Sequence, residues 1–141
     1  MKNILFILLA AFGIAQTAKG DTTDFWHVYY NQTKIQEFGQ GGYYEITLKR
    51  DSIKNGDTIT VKYFRDTPCS ICPTFLTVEN DKHEIFVVSS GKGTLNPVSF
   101  SVNRMIELSK QGGKQTFEVF YSENEFNSLA GKILLFRIKL E

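Results

Sequence analysis

The chain has 141 residues, 42% of them hydrophobic and 13% aromatic, with three prolines and a formal net charge of +1. That size and composition describe one ordinary folded domain and exclude a disordered chain. With Lys2 and Lys19 set aside, the remainder carries 14 Lys/Arg against 15 Asp/Glu and no basic block, which excludes the electrostatic footprint of a nucleic-acid binder.

The N-terminal segment reads as a secretory leader. Lys2 supplies a positive start, Ile4 to Ile14 is almost wholly apolar, and Gly13-Ile14-Ala15 and Ala18-Lys19-Gly20 offer small residues for cleavage. Residues 1–20 are therefore expected to be a signal peptide cut between about residues 15 and 20, leaving 21–141 as one exported domain, periplasmic or extracellular. The apolar run is far short of the ~20 residues that span a bilayer, so no membrane span is expected in the mature chain.

From there, apolar residues alternate with polar ones at a period of two, the signature of half-buried strands. The runs are Trp26, Val28 and Tyr30; Tyr44, Ile46 and Leu48; Ile59, Val61 and Tyr63; and Leu76 with Val78. Ile85 with Val87 follows, then Val98, Phe100 and Val102, then Phe117, Val119 and Tyr121, and finally Leu134, Phe136, Ile138 and Leu140. Turn residues separate them: Asn55-Gly56-Asp57, Asn80 to His83, Gly91-Lys92-Gly93, Asn96-Pro97 and Gly112-Gly113. Helix is expected only at Asn103 to Lys110, with a further short turn around Glu123 to Leu129. About eight strands joined mostly by short turns predict an all-β, antiparallel two-sheet sandwich. The immunoglobulin-like arrangement leads and a jelly roll is the alternative. Trp26, Ile46, Val61, Val78, Phe100, Val119 and Phe136 are the expected core.

Chemistry-bearing motifs are few. Cys69 and Cys72 stand at C-x-x-C spacing between Pro68 and Pro73. In a redox helix such a pair opens the helix, whose N-terminus stabilises the thiolate; here the β-branched Thr74 to Val78 predicts a strand instead. An exported chain favours a disulfide, and closing so small a loop fixes loop shape more than it holds the fold. The alternative is thiol–disulfide exchange with Cys69 attacking, near Arg65. His27 and His83 have the wrong spacing to complete a zinc site with the cysteines, so no metal and no cofactor is expected. Gly91-Lys92-Gly93-Thr94 lacks the pattern of a phosphate loop, and no Gly-x-Ser-x-Gly is present. Glu123 and Glu125 are two carboxylates in a polar loop. Asn31-Gln32-Thr33 fits a glycosylation acceptor and reads as a hairpin tip between Val28 and Phe38.

No set of residues completes a catalytic constellation. The expected function is therefore a non-catalytic exported module that binds a protein or an envelope component. Outward-phase aromatics supply the candidate surface, Tyr43, Phe64, Tyr29 and Phe120 in company with Phe25, and carbohydrate stacking on them is the alternative.

Overall fold

The computed structural model describes residues 23–109, 115–127 and 130–141, and among these alternation produces nine strands in two facing sheets. The segment expected to be a signal peptide, Lys110, Gly112-Gly113 and Leu129 lie outside the described residues. The strands are β1 (Phe25–Tyr30), β2 (Thr33–Gly39), β3 (Glu45–Leu48), β4 (Thr58–Phe64), β5 (Pro73–Glu79), β6 (Ile85–Lys92), β7 (Val98–Ser101), β8 (Gln115–Glu123) and β9 (Ile133–Leu140), with one helix, α1 (Val102–Ser109), between β7 and β8. One sheet has the order β2-β1-β4-β7 and the other β3-β9-β8-β5-β6. Hairpins β5-β6 and β8-β9 lie within the second sheet, and the chain crosses between sheets after β2, β3, β4, β6 and β7. That is the strand order of an immunoglobulin-like sandwich with an extra hairpin strand, β2, rather than a jelly roll. No helix among the described residues is long and apolar enough to cross a membrane.

All seven expected core residues are buried, from Val78 and Val119 at 0% exposure to Ile46 at 8%. Four details of the predicted pattern differ, each for a local physical reason. β3 runs parallel to β9 (Ile46 beside Ile138), so the sandwich is not wholly antiparallel. β2 is not among the alternating runs because it is an edge ribbon with Thr33 to Glu37 all in solvent and only Phe38 packed against the core, too little to impose a pattern. Val102 starts α1 instead of ending a strand, yet keeps its place in the core at 0% exposure. Lastly, two register shifts exchange faces, as an extra residue in a strand must. One pairs Ile85 with Glu79 and leaves Ile85 39% exposed, so that Phe86 meets Phe117 in its place. The other pairs Leu134 with Phe120 and buries Leu135.

The β1–β2 turn shows how side chains close a strand end. Asn31 and Gln32 have φ of 47° and 71°, the left-handed pair that a two-residue hairpin needs. Asn31 accepts from the Thr58 N–H at 2.9 Å and donates to Asp57 Oδ1 at 2.7 Å, while Asp57 Oδ2 takes the Tyr30 hydroxyl at 2.5 Å and the Lys54 N–H at 2.8 Å. The acceptor asparagine of the glycosylation motif is thus spent on holding a turn. The Lys54 N–H, then Tyr30 and Asn31, hold the Asp57 carboxyl below its usual range. Burial first, then the bond to Asp57, pushes the Tyr30 phenol up to about 12.

These two shifts act at opposite ends of the pH scale. The Asp57 contribution is present above the unfolded carboxyl value of about 3.9 and disappears as pH falls through its lower folded value. The Tyr30 contribution is complete below the unfolded phenol value of about 10 and is lost as pH rises through the folded one. Denaturant midpoints of the natural chain and Tyr30→Phe, followed from about pH 8 to about pH 12, are expected to converge as the phenol ionises. A constant difference would show that Tyr30 does not donate to Asp57.

Candidate functional site

Strand directions gather four connections at one end of the sandwich: residues 40–44, 65–72, 93–97 and, of the last, the described residues 124–127 and 130–132. Loops at the ends of a rigid sandwich are where binding residues concentrate. Here two of them are locked together.

The 65–72 loop leaves β4 at Phe64 and enters β5 at Pro73, where the missing N–H of proline is tolerated at a strand start. Cys69 and Cys72 are disulfide-bonded across it, with Cα atoms 5.6 Å apart. Its backbone is pinned to the 93–97 loop: the Gly93 N–H donates to Cys72 O at 2.8 Å and the Thr94 N–H to Cys69 O at 2.9 Å. The Cys69 N–H donates in turn to Thr94 Oγ1 at 2.8 Å. Gly93 has φ +87°, and a Cβ there would sit 2.9 Å from the Ser70 carbonyl oxygen. Only glycine gives both the left-handed backbone and the close approach.

Below this lock lies an ionic socket. The Thr94 hydroxyl donates to Glu123 Oε1 at 2.7 Å and the Tyr121 hydroxyl to the same oxygen at 3.0 Å, while Arg65 Nη2 meets Glu123 Oε2 at 3.1 Å. Tyr121 stacks on Tyr63 of the facing sheet with centroids 4.3 Å apart, and the Tyr63 hydroxyl donates to Asp24 Oδ2 at 2.5 Å. Burial is the first cause that holds both phenols well above their usual range; the neighbouring carboxylates, Asp24 for Tyr63 and Glu123 for Tyr121, add to it. The two tyrosines therefore act as neutral donors that tie the sheets to the loops. Glu123, with both oxygens occupied, is a structural anchor, and the exposed Glu125 has no matched partner carboxylate in it.

At the apex of the locked loops stand apolar side chains in water. Ile71 is 75% exposed, Leu95 41%. Pro68 and Pro97 are exposed beside them in sequence; the charged residues of these segments are Asp66 and Lys92 at the margins and Arg65, which is paired with Glu123.

The four aromatics expected to form one surface are divided between two faces. Tyr29 and Phe64 lie on the outer face of the four-stranded sheet, where Phe25 stacks on Phe64 at 4.6 Å and 6°. His27 lies 4.8 Å from Phe64 and bonds Glu37 of β2 at 3.0 Å. Because the Phe25 and Phe64 faces meet each other, this row turns ring edges outward. Phe120 belongs to the five-stranded sheet, partly covered by the Lys132 ammonium 4.8 Å from its ring centre. Tyr43 precedes β3, 70% exposed, with the Arg137 guanidinium 4.5 Å from its ring centre. The candidate aromatics therefore do not make one continuous row: Tyr29 and Phe64 stand on one sheet and Phe120 on the other.

His27 on β1 and His83 in the β5–β6 turn belong to different sheets, remote in the fold from each other, and among the described residues no three His, Cys, Asp or Glu gather as a metal site. The pair Cys69–Cys72 precedes a strand, so no helix dipole acts on it, and Arg65 is engaged by Glu123. Sequence reasoning missed Thr94, Tyr121 and Tyr63 as site residues. Only Gly93 and its neighbouring glycine signalled that the two loops approach closely. No protein-family model, no curated protein and no solved structure matches the chain.

Reducing the disulfide is expected to lower stability by at most about 2 kcal/mol, the loop-entropy value for so short a closure. Denaturant melts with and without thiol check this. A collapse of the fold on reduction would place the bond among the main supports of the sandwich.

Proposed function

We propose that the protein is an exported, non-catalytic module that binds a protein or envelope component through this loop end. The observation that carries the reading is Ile71: the most exposed large hydrophobe of the described chain sits at the apex of the loop that is most thoroughly fixed. An aliphatic side chain held in water gains nothing from burial in the free protein, whereas a pre-ordered one loses little entropy when a partner covers it. Uncharged sequence neighbours, Ser70 and Cys72 beside Ile71 and Thr94 and Asn96 beside Leu95, with charge further out at Arg65, Asp66 and Lys92, match the centre and rim of a protein interface. By fold-level analogy alone, the β4–β5 and β8–β9 loops correspond to recognition loops of immunoglobulin variable domains.

A photo-crosslinking residue at position 71, compared with one at Ser52 on the opposite end, tests this against an envelope extract of the source cells. One discrete adduct at position 71, lost on adding Leu95→Asp, is expected. Equal capture at both positions overturns the proposal.

Carbohydrate binding is the second reading, and Tyr43 favours it, since its ring is largely in solvent and backed by Arg137. Stacking of one ring on a sugar face is a weak contact. A glycan array in which Tyr43→Ala abolishes a signal that Ile71→Asp leaves intact would promote it over the first reading.

A further inference from the structure

The turn into β4 carries Asn55-Gly56, closed by the Asp57 N–H on Lys54 O at 3.2 Å. Its features are chemical. Both residues are exposed, Gly56 has φ +91° with nothing within 4 Å of where a Cβ would lie, and no hydrogen bond among the described residues holds its N–H. Asn103 Nδ2, from the first turn of α1, donates to Asn55 Oδ1 at 3.1 Å and to Lys54 O at 3.0 Å.

We propose that Asn55 is a site of spontaneous self-modification, an intramolecular cyclisation assisted by Asn103. Water or hydroxide removes the Gly56 amide proton. The nitrogen attacks Asn55 Cγ, a new N–C bond forms, and the C–N bond to the side-chain amide breaks with release of ammonia. Water then opens the five-membered imide at either carbonyl, leaving aspartate or isoaspartate at position 55. Negative charge develops on Oδ1 during the attack, which is where the Asn103 donor points, and donors aimed at developing charge lower a barrier. Gly56 removes the side chain that would crowd the attack, and its φ freedom lets the intervening peptide plane turn.

Other asparagines lack this combination. Asn31 has both amide atoms bonded to Asp57 and Thr58, Asn80 has both bonded within its own turn, and Asn96 precedes Pro97, which has no N–H to attack. Modification would add a negative charge beside Asp57, and the isoaspartate would lengthen the backbone of the turn that receives the Val102 N–H on Asp57 O at 3.0 Å. The start of α1 and the β1–β2 tip both hang on that turn.

The test is to hold the folded, oxidised protein in mildly alkaline buffer and follow the peptide spanning Asn55 by mass, with an isoaspartate-specific assay. Expected is a gain of one mass unit with isoaspartate present, absent in Asn55→Gln. Asn103→Ala and Asn103→Asp, which both lack the donor, should slow it about fivefold, the factor one net hydrogen bond carries. A folded chain that stays unmodified while the same chain in denaturant reacts would overturn the proposal, because the turn would then protect Asn55. So would an unchanged rate in both Asn103 variants that retain their fold.

Discussion

Replacing Phe136 with alanine is expected to destabilise the domain by about 3–5 kcal/mol, the usual cost of emptying a buried aromatic site. Phe136 is 1% exposed, stands opposite Val119 in the five-stranded sheet and has its ring centre 6.1 Å from that of Phe38 on β2. It therefore fills space between the sheets, and two sheets held apart by their remaining side chains cannot collapse into the gap. Domains of this kind have about 5–15 kcal/mol in total, so the loss is a large share of it. Urea titration gives the measurement: the midpoint should fall with the slope unchanged, as for a stability change without a change in compactness. An unaltered midpoint would mean that the ring does not occupy the inter-sheet space.

That prediction rests on a strand phase that was readable from sequence, and the reason is physical. A buried face imposes a strict period of two, so Trp26, Val61, Val119 and Phe136 identify themselves. Three kinds of feature leave no such trace. Edge strand β2 leaves Thr33 to Glu37 exposed and packs only Phe38 against the core, so it shows no alternation. Register shifts at Val78/Glu79 and Val119/Phe120 insert a residue without changing composition, and Phe86 and Leu135 face the core where Ile85 and Leu134 were expected to. Side-chain sockets join residues distant in sequence: Thr94, Tyr121, Glu123 and Arg65 meet only because the sheets are stacked. The cysteine spacing foretold a stiff loop. It carried no information on what the loop leans against, which is why Ile71 was not among the expected surface residues.

The second large effect concerns an ion pair where a sandwich normally keeps a solvated face. Glu79 follows Val78 on β5 and so points to the outer side of the five-stranded sheet, yet it is 1% exposed, and the side chain of its partner Lys132 is 6% exposed. Lys132 reaches Glu79 Oε1 while its ammonium also covers the Phe120 ring, and the Thr77 hydroxyl donates to the same oxygen at 3.1 Å. His83 Nδ1 lies 3.5 Å from the other oxygen. Two charges removed from water cost several kcal/mol each, which their attraction and added hydrogen bonds repay only while both are present. Lys132→Ala is therefore expected to cost about 3–5 kcal/mol, because it strands a buried carboxylate. Glu79→Leu alone should be similarly harmful, since it strands the ammonium. The double variant Glu79→Leu with Lys132→Met removes both charges and keeps apolar bulk over Phe120, so it should recover most of the loss. A double-mutant cycle on urea midpoints reads this coupling directly. Additive losses would show that each side chain acts independently, the ammonium through Phe120 and the carboxylate through Thr77, and that the pair does not hold the residues around Lys132 to the sheet.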